Sequence, residues 1–153
     1  MRKMIDTALE PVLSLLMSIL VIDVLWQVAS RYVLSNPSSV TDELAGFLLV
    51  WIGLLGAAYC FGKGEHLAVD IIHQYISEQT KHRLDIFINI VVVLFAVTVM
   101  VIGGVWLVYT RFSLGVTSPA LTLNLGYVYA VLPLSGVLTL YYAIDNLVKL
   151  LKE

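Results

Sequence analysis

The sequence has few of the residues that soluble proteins carry at their surface. Charged residues make up only 13% of the 153 positions, whereas soluble domains are usually about a quarter charged. Hydrophobic residues make up 59%. Because crossing a bilayer takes about 20 consecutive apolar residues, the chain has room for about four membrane spans. We expect no sizeable soluble domain beside them.

The sequence motifs of enzymes are also missing. There is no nucleophile elbow, no Gly-Lys-Ser/Thr phosphate loop, no HExxH pair and no CxxC pair. The one cysteine, Cys60, cannot form a disulfide within the chain. The net charge of −2, without a Lys/Arg cluster, gives no reason to expect a nucleic acid partner. We therefore predict a protein that is not an enzyme and that binds no cofactor or metal.

Long apolar runs separated by polar turns are what the sequence does contain. They predict an all-α integral membrane protein, a single membrane domain over residues 1–153 with four spans. The spans lie at about 12–34, 43–61, 84–112 and 127–148. The third is longer than a perpendicular crossing requires, which predicts a tilted helix, and Pro133 predicts a kink in the fourth. We expect the first span to stay uncleaved, since no small-x-small cleavage site follows it.

A short amphipathic helix is predicted at about 65–76, between the second and third spans. Apolar residues recur there every three to four positions beside His66, Asp70 and His73, which is typical of a helix lying at the membrane surface. The same spacing could also hold a metal ion on one face. We favour the surface helix, because its polar face produces this spacing without any ligand.

The distribution of Lys and Arg predicts the orientation of the spans. Placing both termini in the cytoplasm puts seven basic residues on that side and leaves only Arg31 and Arg111 outside, as the positive-inside rule requires. The amphipathic helix is then cytoplasmic, and the loops 35–42 and 113–126 face the opposite side.

A polar stripe runs along the first span. Asp23 lies near the bilayer centre, and Gln27 and Arg31 follow at i+4 and i+8 on the same face. An ionised carboxylate at that depth costs several kcal/mol unless it is paired. Either the stripe packs against other helices, of this chain or of another subunit, or Asp23 is a proton or ion site on a transport path.

Asp42 and Glu43 stand directly before the second apolar run. We predict that Thr41 caps this helix and that the two acids complement the positive end of its dipole. Pairing of either acid with Arg31 or with a partner protein is a compatible alternative.

Small residues indicate where helices approach one another closely. Small residues let helix backbones come close together inside a membrane. Close packing matters there because the hydrophobic effect does not drive helices together in lipid. The predicted packing positions, together with the proline of the last span, are Gly53, Gly56, Gly103, Gly104 and Pro133.

Several short motifs follow one another in a characteristic order over most of the chain. They are RYV at 31–33, DELA at 42–45, Trp51, LGAA at 55–58, Lys63, His66, Asp70 and Leu132-Pro133. In this order and spacing the chain resembles the small membrane (Q-type) subunit of tripartite ATP-independent periplasmic (TRAP) transporters. It departs from the family where Val40 and Thr41 stand in place of a frequent Trp before the acidic pair, and where Gly46 stands in place of a frequent Arg.

The resemblance implies a bacterial inner-membrane complex. In that family a periplasmic solute-binding protein delivers a carboxylate-bearing solute, such as sialic acid or a C4-dicarboxylate, to a large membrane subunit. A sodium gradient drives an elevator motion of that subunit, which would hold the sodium ion, and the small subunit is its fixed support, with membrane lipid around both. The alternative is an autonomous homo-oligomeric channel or transporter with Asp23 on the pathway.

Overall fold

A computed structural model describes residues 2–36, 38–64 and 78–152. Helices account for nearly all of them, and no strand occurs in these ranges, where the one β-bridge joins Thr117 to Asn124. The helices are α1 (Arg2–Tyr32), α2 (Ser39–Lys63), α3 (Glu78–Phe95), a π-helical segment (Ala96–Gly103), α4 (Gly104–Ser113), α5 (Leu125–Tyr129) and α6 (Val131–Leu150).

Within the described residues, four helical stretches are long and apolar enough to cross a membrane. They are Arg2–Tyr32, Ser39–Lys63, Thr80–Ser113 and Leu125–Leu150. The prediction of an all-α membrane protein with four spans is therefore confirmed. The orientation of the termini stays a prediction. The amphipathic helix at 65–76, with His66 and Asp70, lies outside the described residues.

The first helix is longer than the apolar run that predicted it. It begins at Arg2 and contains Pro11, whereas the predicted span begins at residue 12. The backbone hydrogen bonds of a helix can continue past the edge of an apolar run. Pro11 lacks an N–H and therefore removes only one of these hydrogen bonds. The helix ends after Tyr32, where the amides of Val33 and Leu34 both donate to the carbonyl of Ala29, at 2.8 and 3.3 Å.

The third span contains a π-helical segment that the sequence analysis does not foresee. Ala96–Gly103 adopts this wider winding between α3 and α4. Within it, the Thr98 hydroxyl donates to the carbonyl oxygen of Leu94 at 2.7 Å. A side chain that takes the i−4 carbonyl competes with the backbone for it, which favours the local change of winding.

The fourth span is interrupted at Ala130, between α5 and α6. The predicted kink residue, Pro133, lies three positions later. Proline has no N–H for the carbonyl four residues earlier, and its ring clashes with that carbonyl. The carbonyl in question belongs to Tyr129, the last residue of α5, so the interruption appears one turn before the proline.

The chain divides into two compact units. The first contains Met1–Gly56 and Leu107–Val131, and the second contains Ala57–Trp106 and Leu132–Glu153.

Close backbone approach at glycines organises the second unit. A Cβ added to Gly62 would lie 2.7 Å from the ring of the fully buried Tyr142, and one added to Gly136 would lie 2.7 Å from the Cβ of Met100. These contacts join α2 and the π-helical segment to α6. Neither glycine is among the predicted packing positions.

Candidate functional site

The carboxylate of Glu43, in the first unit, holds a loop that is distant from it in sequence. The backbone N–H groups of Ala120 and Leu121 both donate to Oε2 of Glu43, at 3.0 and 2.8 Å. Hydrogen bonds to an ionised acceptor are roughly twice as strong as those between neutral groups. Glu43 therefore fastens the loop 114–124 to the first turns of α2.

The loop itself has a compact backbone structure. The amide of Ser118 donates to the carbonyl of Leu123 at 2.8 Å, and the amide of Leu125 donates to that of Val116 at 2.9 Å. Thr122 has a φ of 54°, a left-handed conformation that is rare for a β-branched residue. Such strain persists only where the surroundings hold it, and the bonds to Glu43 lie directly beside Thr122.

Both ends of the loop are packed by aromatic side chains. A Cβ added to Gly126 would lie 2.6 Å from the ring of Phe112, so only glycine admits that ring. Phe112 also meets Tyr127 edge-to-face, with ring centroids 4.9 Å apart. The guanidinium carbon of Arg111 lies 5.7 Å from the ring centre of Tyr129. The end of α4 is thereby fixed against α5.

The start of α2 is capped by a different residue from the one predicted. The helix begins at Ser39, and the amide of Thr41 donates to the hydroxyl oxygen of Ser38 at 3.4 Å. This is the bond that an N-cap side chain accepts. The prediction that Thr41 is the N-cap is therefore wrong, because the helix starts three residues earlier than the sequence suggests.

The three residues of the polar stripe of α1, Asp23, Gln27 and Arg31, lie in different environments. The Gln27 amide group donates a hydrogen bond to Oδ1 of Asp42, which joins α1 to α2. Arg31 is exposed at the end of α1 and forms no ion pair with Asp42 or Glu43 within the described residues. Asp23 is buried, and its Oδ2 finds no hydrogen-bond partner in the same described ranges.

An open depression lies beside the two acids. Its volume is about 360 Å³, and Ser39, Asp42, Glu43, Pro119 and Ala120 line it. Asp42 is exposed, and one oxygen of Glu43 faces the loop amides. The arrangement offers acceptor oxygens to a basic or hydrogen-bond-donating group from outside the chain.

Trp51 makes a contact that the sequence analysis missed. Its indole N–H donates to the backbone carbonyl of Val128 at 3.0 Å, across 77 residues of sequence. Val128 lies just before the interruption at Ala130, and the last carbonyls of a helix lack partners within it. A buried indole usually finds an acceptor, so the tryptophan was a signal for such a bond, although not for its partner.

Replacing Trp51 with Phe should lower the free energy of unfolding by about 1 kcal/mol through the loss of one hydrogen bond, in addition to the effect of the smaller ring. Thermal unfolding of the chain in lipid nanodiscs measures the change. Trp26→Phe is the control, since the Trp26 indole makes no hydrogen bond within the described residues. Equal shifts for the two variants would contradict the role of the Val128 bond.

The predicted packing glycines differ in their surroundings. A Cβ added to Gly104 would lie 2.9 Å from Cδ of Pro133, so these two residues pack against each other. Among the described residues, no atom lies within 4 Å of such a Cβ at Gly53 or Gly56, and for Gly103 the nearest is 3.6 Å away. The part of the chain that the structure describes therefore makes no close approach at Gly53 or Gly56.

Comparison with known proteins supports the family resemblance. A family model described as "Tripartite ATP-independent periplasmic transporters, DctQ component" matches residues 20–153. The sialic acid TRAP transporter small permease protein SiaQ of Vibrio cholerae is 24% identical over 156 residues, covering 99% of this chain and 86% of the relative. The sialic acid TRAP transporter permease protein SiaT of Haemophilus influenzae is 30% identical over 66 residues, covering 43% of this chain and 11% of that protein.

These matches agree with the four membrane-length helices and with the expectation that the chain is not an enzyme. A small permease of this type is a transporter component that works with a large permease subunit. The chain therefore belongs to the DctQ family and is a multi-pass small permease subunit of a TRAP transporter.

Proposed function

We propose that the chain is the fixed support of the large permease subunit in a sodium-coupled, binding-protein-dependent transporter. The large subunit would carry the solute, hold the sodium ion and move by an elevator motion, while this chain would anchor its static part. The solute would be a carboxylate, sialic acid or a C4-dicarboxylate. Among these, the name of the Vibrio cholerae relative favours sialic acid. The membrane would be the bacterial inner membrane, with both termini in the cytoplasm.

The apolar surface that the chain leaves uncovered is the main support for this proposal. In the most apolar 18-residue stretch of α1, only 11% of the residues are buried within the chain. In the corresponding stretch of the fourth span, 39% are buried. The uncovered side chains of α1 include Ile22, Leu25 and Trp26. A helix that buries so little of itself is held in place by its neighbours in the membrane, either lipid or another subunit.

Three sets of polar contacts within the first unit also favour a support over a solute path. Glu43 accepts two loop amides, Asp42 accepts from Gln27, and Trp51 donates to a backbone carbonyl. Groups that are engaged in this way stiffen the fold.

The match to SiaT supports proximity to a large permease. A stretch of 66 residues similar to this chain makes up only 11% of that protein. A segment of this kind therefore occurs within a much longer permease polypeptide. Covalent linkage keeps two parts at a high effective concentration, which fits partners that function side by side.

The depression beside Glu43 suggests a contact for the solute-binding protein. In the proposed orientation the loops 35–42 and 113–126 face the periplasm. The exposed carboxylate of Asp42 and the firmly held loop 114–124 would present a rigid, acidic surface there. Such a surface suits a basic patch on the binding protein, and charge complementarity of this kind raises the association rate.

Co-purification and reconstitution test the proposal. The tagged chain, expressed with its large subunit, is expected to retain that subunit in detergent and in nanodiscs. Liposomes containing both should take up solute only with a sodium gradient and the binding protein present. Liposomes with the chain alone should show no uptake. Uptake by the chain alone would instead support the autonomous channel.

A further inference from the structure

A groove on the surface of the first unit has an unpaired carboxyl group in its wall. Ile19, Ile22 and Trp26 of α1 and Leu44 of α2 line it together with Asp23, around a volume of about 340 Å³. Asp23 is only 7% exposed, and its Oδ2 has no hydrogen-bond partner within the described residues. The residues around it are open, with Ile22 68% and Trp26 55% exposed.

The depth of Asp23 restricts what can satisfy it. It lies nine residues before the end of α1 at Tyr32, which is about 14 Å at a rise of 1.5 Å per residue. The hydrocarbon core contains no hydrogen-bond donors apart from those of embedded protein, and lipid headgroups lie at its edges. An unsatisfied polar group there costs free energy. The matching donor must therefore be carried into the bilayer by a protein side chain.

We propose that this groove receives a hydrogen-bond-donating side chain from a membrane-spanning helix of the large permease subunit. The donor, a hydroxyl, an amide or a cation, would bond to the Asp23 carboxyl, and apolar residues of the same helix would pack on Ile22 and Trp26. The inference rests on the proposed function, because that function supplies the neighbouring subunit.

A second copy of this chain fits the groove less well. A two-fold contact places the same surface on both partners, which would bring two Asp23 side chains together. The neighbouring Gln27 amide could donate to Asp23 of another copy, but it is already bonded to Asp42.

Replacement of Asp23 by Leu tests the proposed contact with the large subunit. The substitution is expected to preserve the stability of the isolated chain but to weaken the complex. The variant chain alone should be at least as stable as the wild type, because an unsatisfied polar group has been removed. Its affinity for the large subunit should fall about 5- to 30-fold, because the partner's donor is left unpaired. Thermal unfolding measures the first effect, and retention of the large subunit on dilution measures the second.

Two further variants calibrate this result. Asp23→Asn keeps an acceptor oxygen and should weaken the complex less than Asp23→Leu. Ser18→Leu makes a similar polar-to-apolar change on the same helix, where the Ser18 hydroxyl donates to the carbonyl of Ser14 at 2.8 Å, and should leave the affinity unchanged. An Asp23→Leu chain that binds the large subunit as well as the wild type does would overturn the proposal. A loss of stability in the isolated variant would do the same.

Photo-crosslinking locates the partner without relying on stability. The crosslinking residue p-benzoylphenylalanine is placed at Trp26 in the groove or at Val28, where the native side chains are 55% and 49% exposed. The two positions are about 160° apart around the helix. Crosslinks to the large subunit are expected from position 26 and not from position 28. Adducts with lipid alone from position 26 would refute the inference.

Failure of this inference can be told apart from failure of the proposed function. If the wild-type chain retains the large subunit and supports uptake, but Asp23→Leu and position 26 behave like the controls, only the groove contact is wrong. If the wild-type chain retains no large subunit, the support function itself is wrong.

Discussion

Replacing Glu43 with Leu is expected to release the loop 114–124 and to lower the free energy of unfolding by about 2 to 3 kcal/mol. Two backbone N–H groups, of Ala120 and Leu121, would lose their shared acceptor. Hydrogen bonds to a charged group contribute about 1.5–3 kcal/mol each, and the partial exposure of Glu43 reduces their sum. Thermal unfolding in nanodiscs measures the loss, and faster amide exchange at residues 120 and 121 locates it.

Two variants serve as controls for this result. Glu43→Gln keeps an acceptor oxygen without the charge and should lose about half as much, since neutral hydrogen bonds are roughly half as strong. Lys149→Ala removes an exposed ion pair with Asp145, 2.6 Å long, and should change stability by about 0.5 kcal/mol or less. If Glu43→Leu unfolds like Lys149→Ala, the loop is held by something other than this carboxylate.

The same substitution bears on the proposed docking of the solute-binding protein. A loosened loop 114–124 should reduce binding-protein-dependent uptake, while the large subunit remains bound to the chain. Reconstituted uptake and co-purification, measured on the same preparation, separate these effects. Unchanged uptake with a demonstrably mobile loop would argue against this loop as part of the docking surface.

Alanine at Gly104 is expected to destabilise the second unit by about 1–3 kcal/mol, the usual effect of overpacking. The new Cβ would lie 2.9 Å from Cδ and 3.0 Å from the backbone nitrogen of Pro133. A backbone atom and a proline ring cannot rotate away, so α4 and α6 would have to separate. Thermal unfolding of the chain in nanodiscs measures the effect.

The adjacent glycine supplies the matched control. Among the described residues, a Cβ at position 103 would meet only the carbonyl oxygen of Thr98, at 3.6 Å, which is ordinary van der Waals contact. Gly103→Ala should therefore be neutral or stabilising by up to about 1 kcal/mol, because alanine favours helical conformations over glycine. Similar effects at positions 103 and 104 would show that the approach to Pro133 does not limit the packing.

Several features of this protein follow from the sequence because they depend on neighbouring residues. Four apolar runs of sufficient length predict four spans, since the free energy of placing a helix in a bilayer depends mainly on its own side chains. Pro133 predicts a disturbed fourth helix, because a proline acts on the carbonyl four residues before it. The order of short motifs was sufficient to indicate the family.

Some local features were nevertheless misjudged. Thr41 has the right residue type for an N-cap, but Ser38 stands three residues earlier and takes the role. The π-helical segment Ala96–Gly103 has no clear signature in a run of β-branched and small residues. In both cases alternative cap positions or windings lie within a few residues of one another along the chain, and helix ends are the least sharply defined parts of a helix.

The sequence by itself determined the class of protein, the number of spans and the family, since hydrophobic length and turn chemistry act over a few neighbouring residues. Only the tertiary structure decided that Glu43 binds the amides of a loop 77 and 78 residues away and that Trp51 reaches Val128. It also decided that Oδ2 of Asp23 has no hydrogen-bond partner among the described residues and lies beside a groove. Glu43 and Asp23 both have a carboxyl group. They differ because the packing of the chain places backbone N–H donors beside Glu43 and none within hydrogen-bond distance of Oδ2 of Asp23 among the described residues.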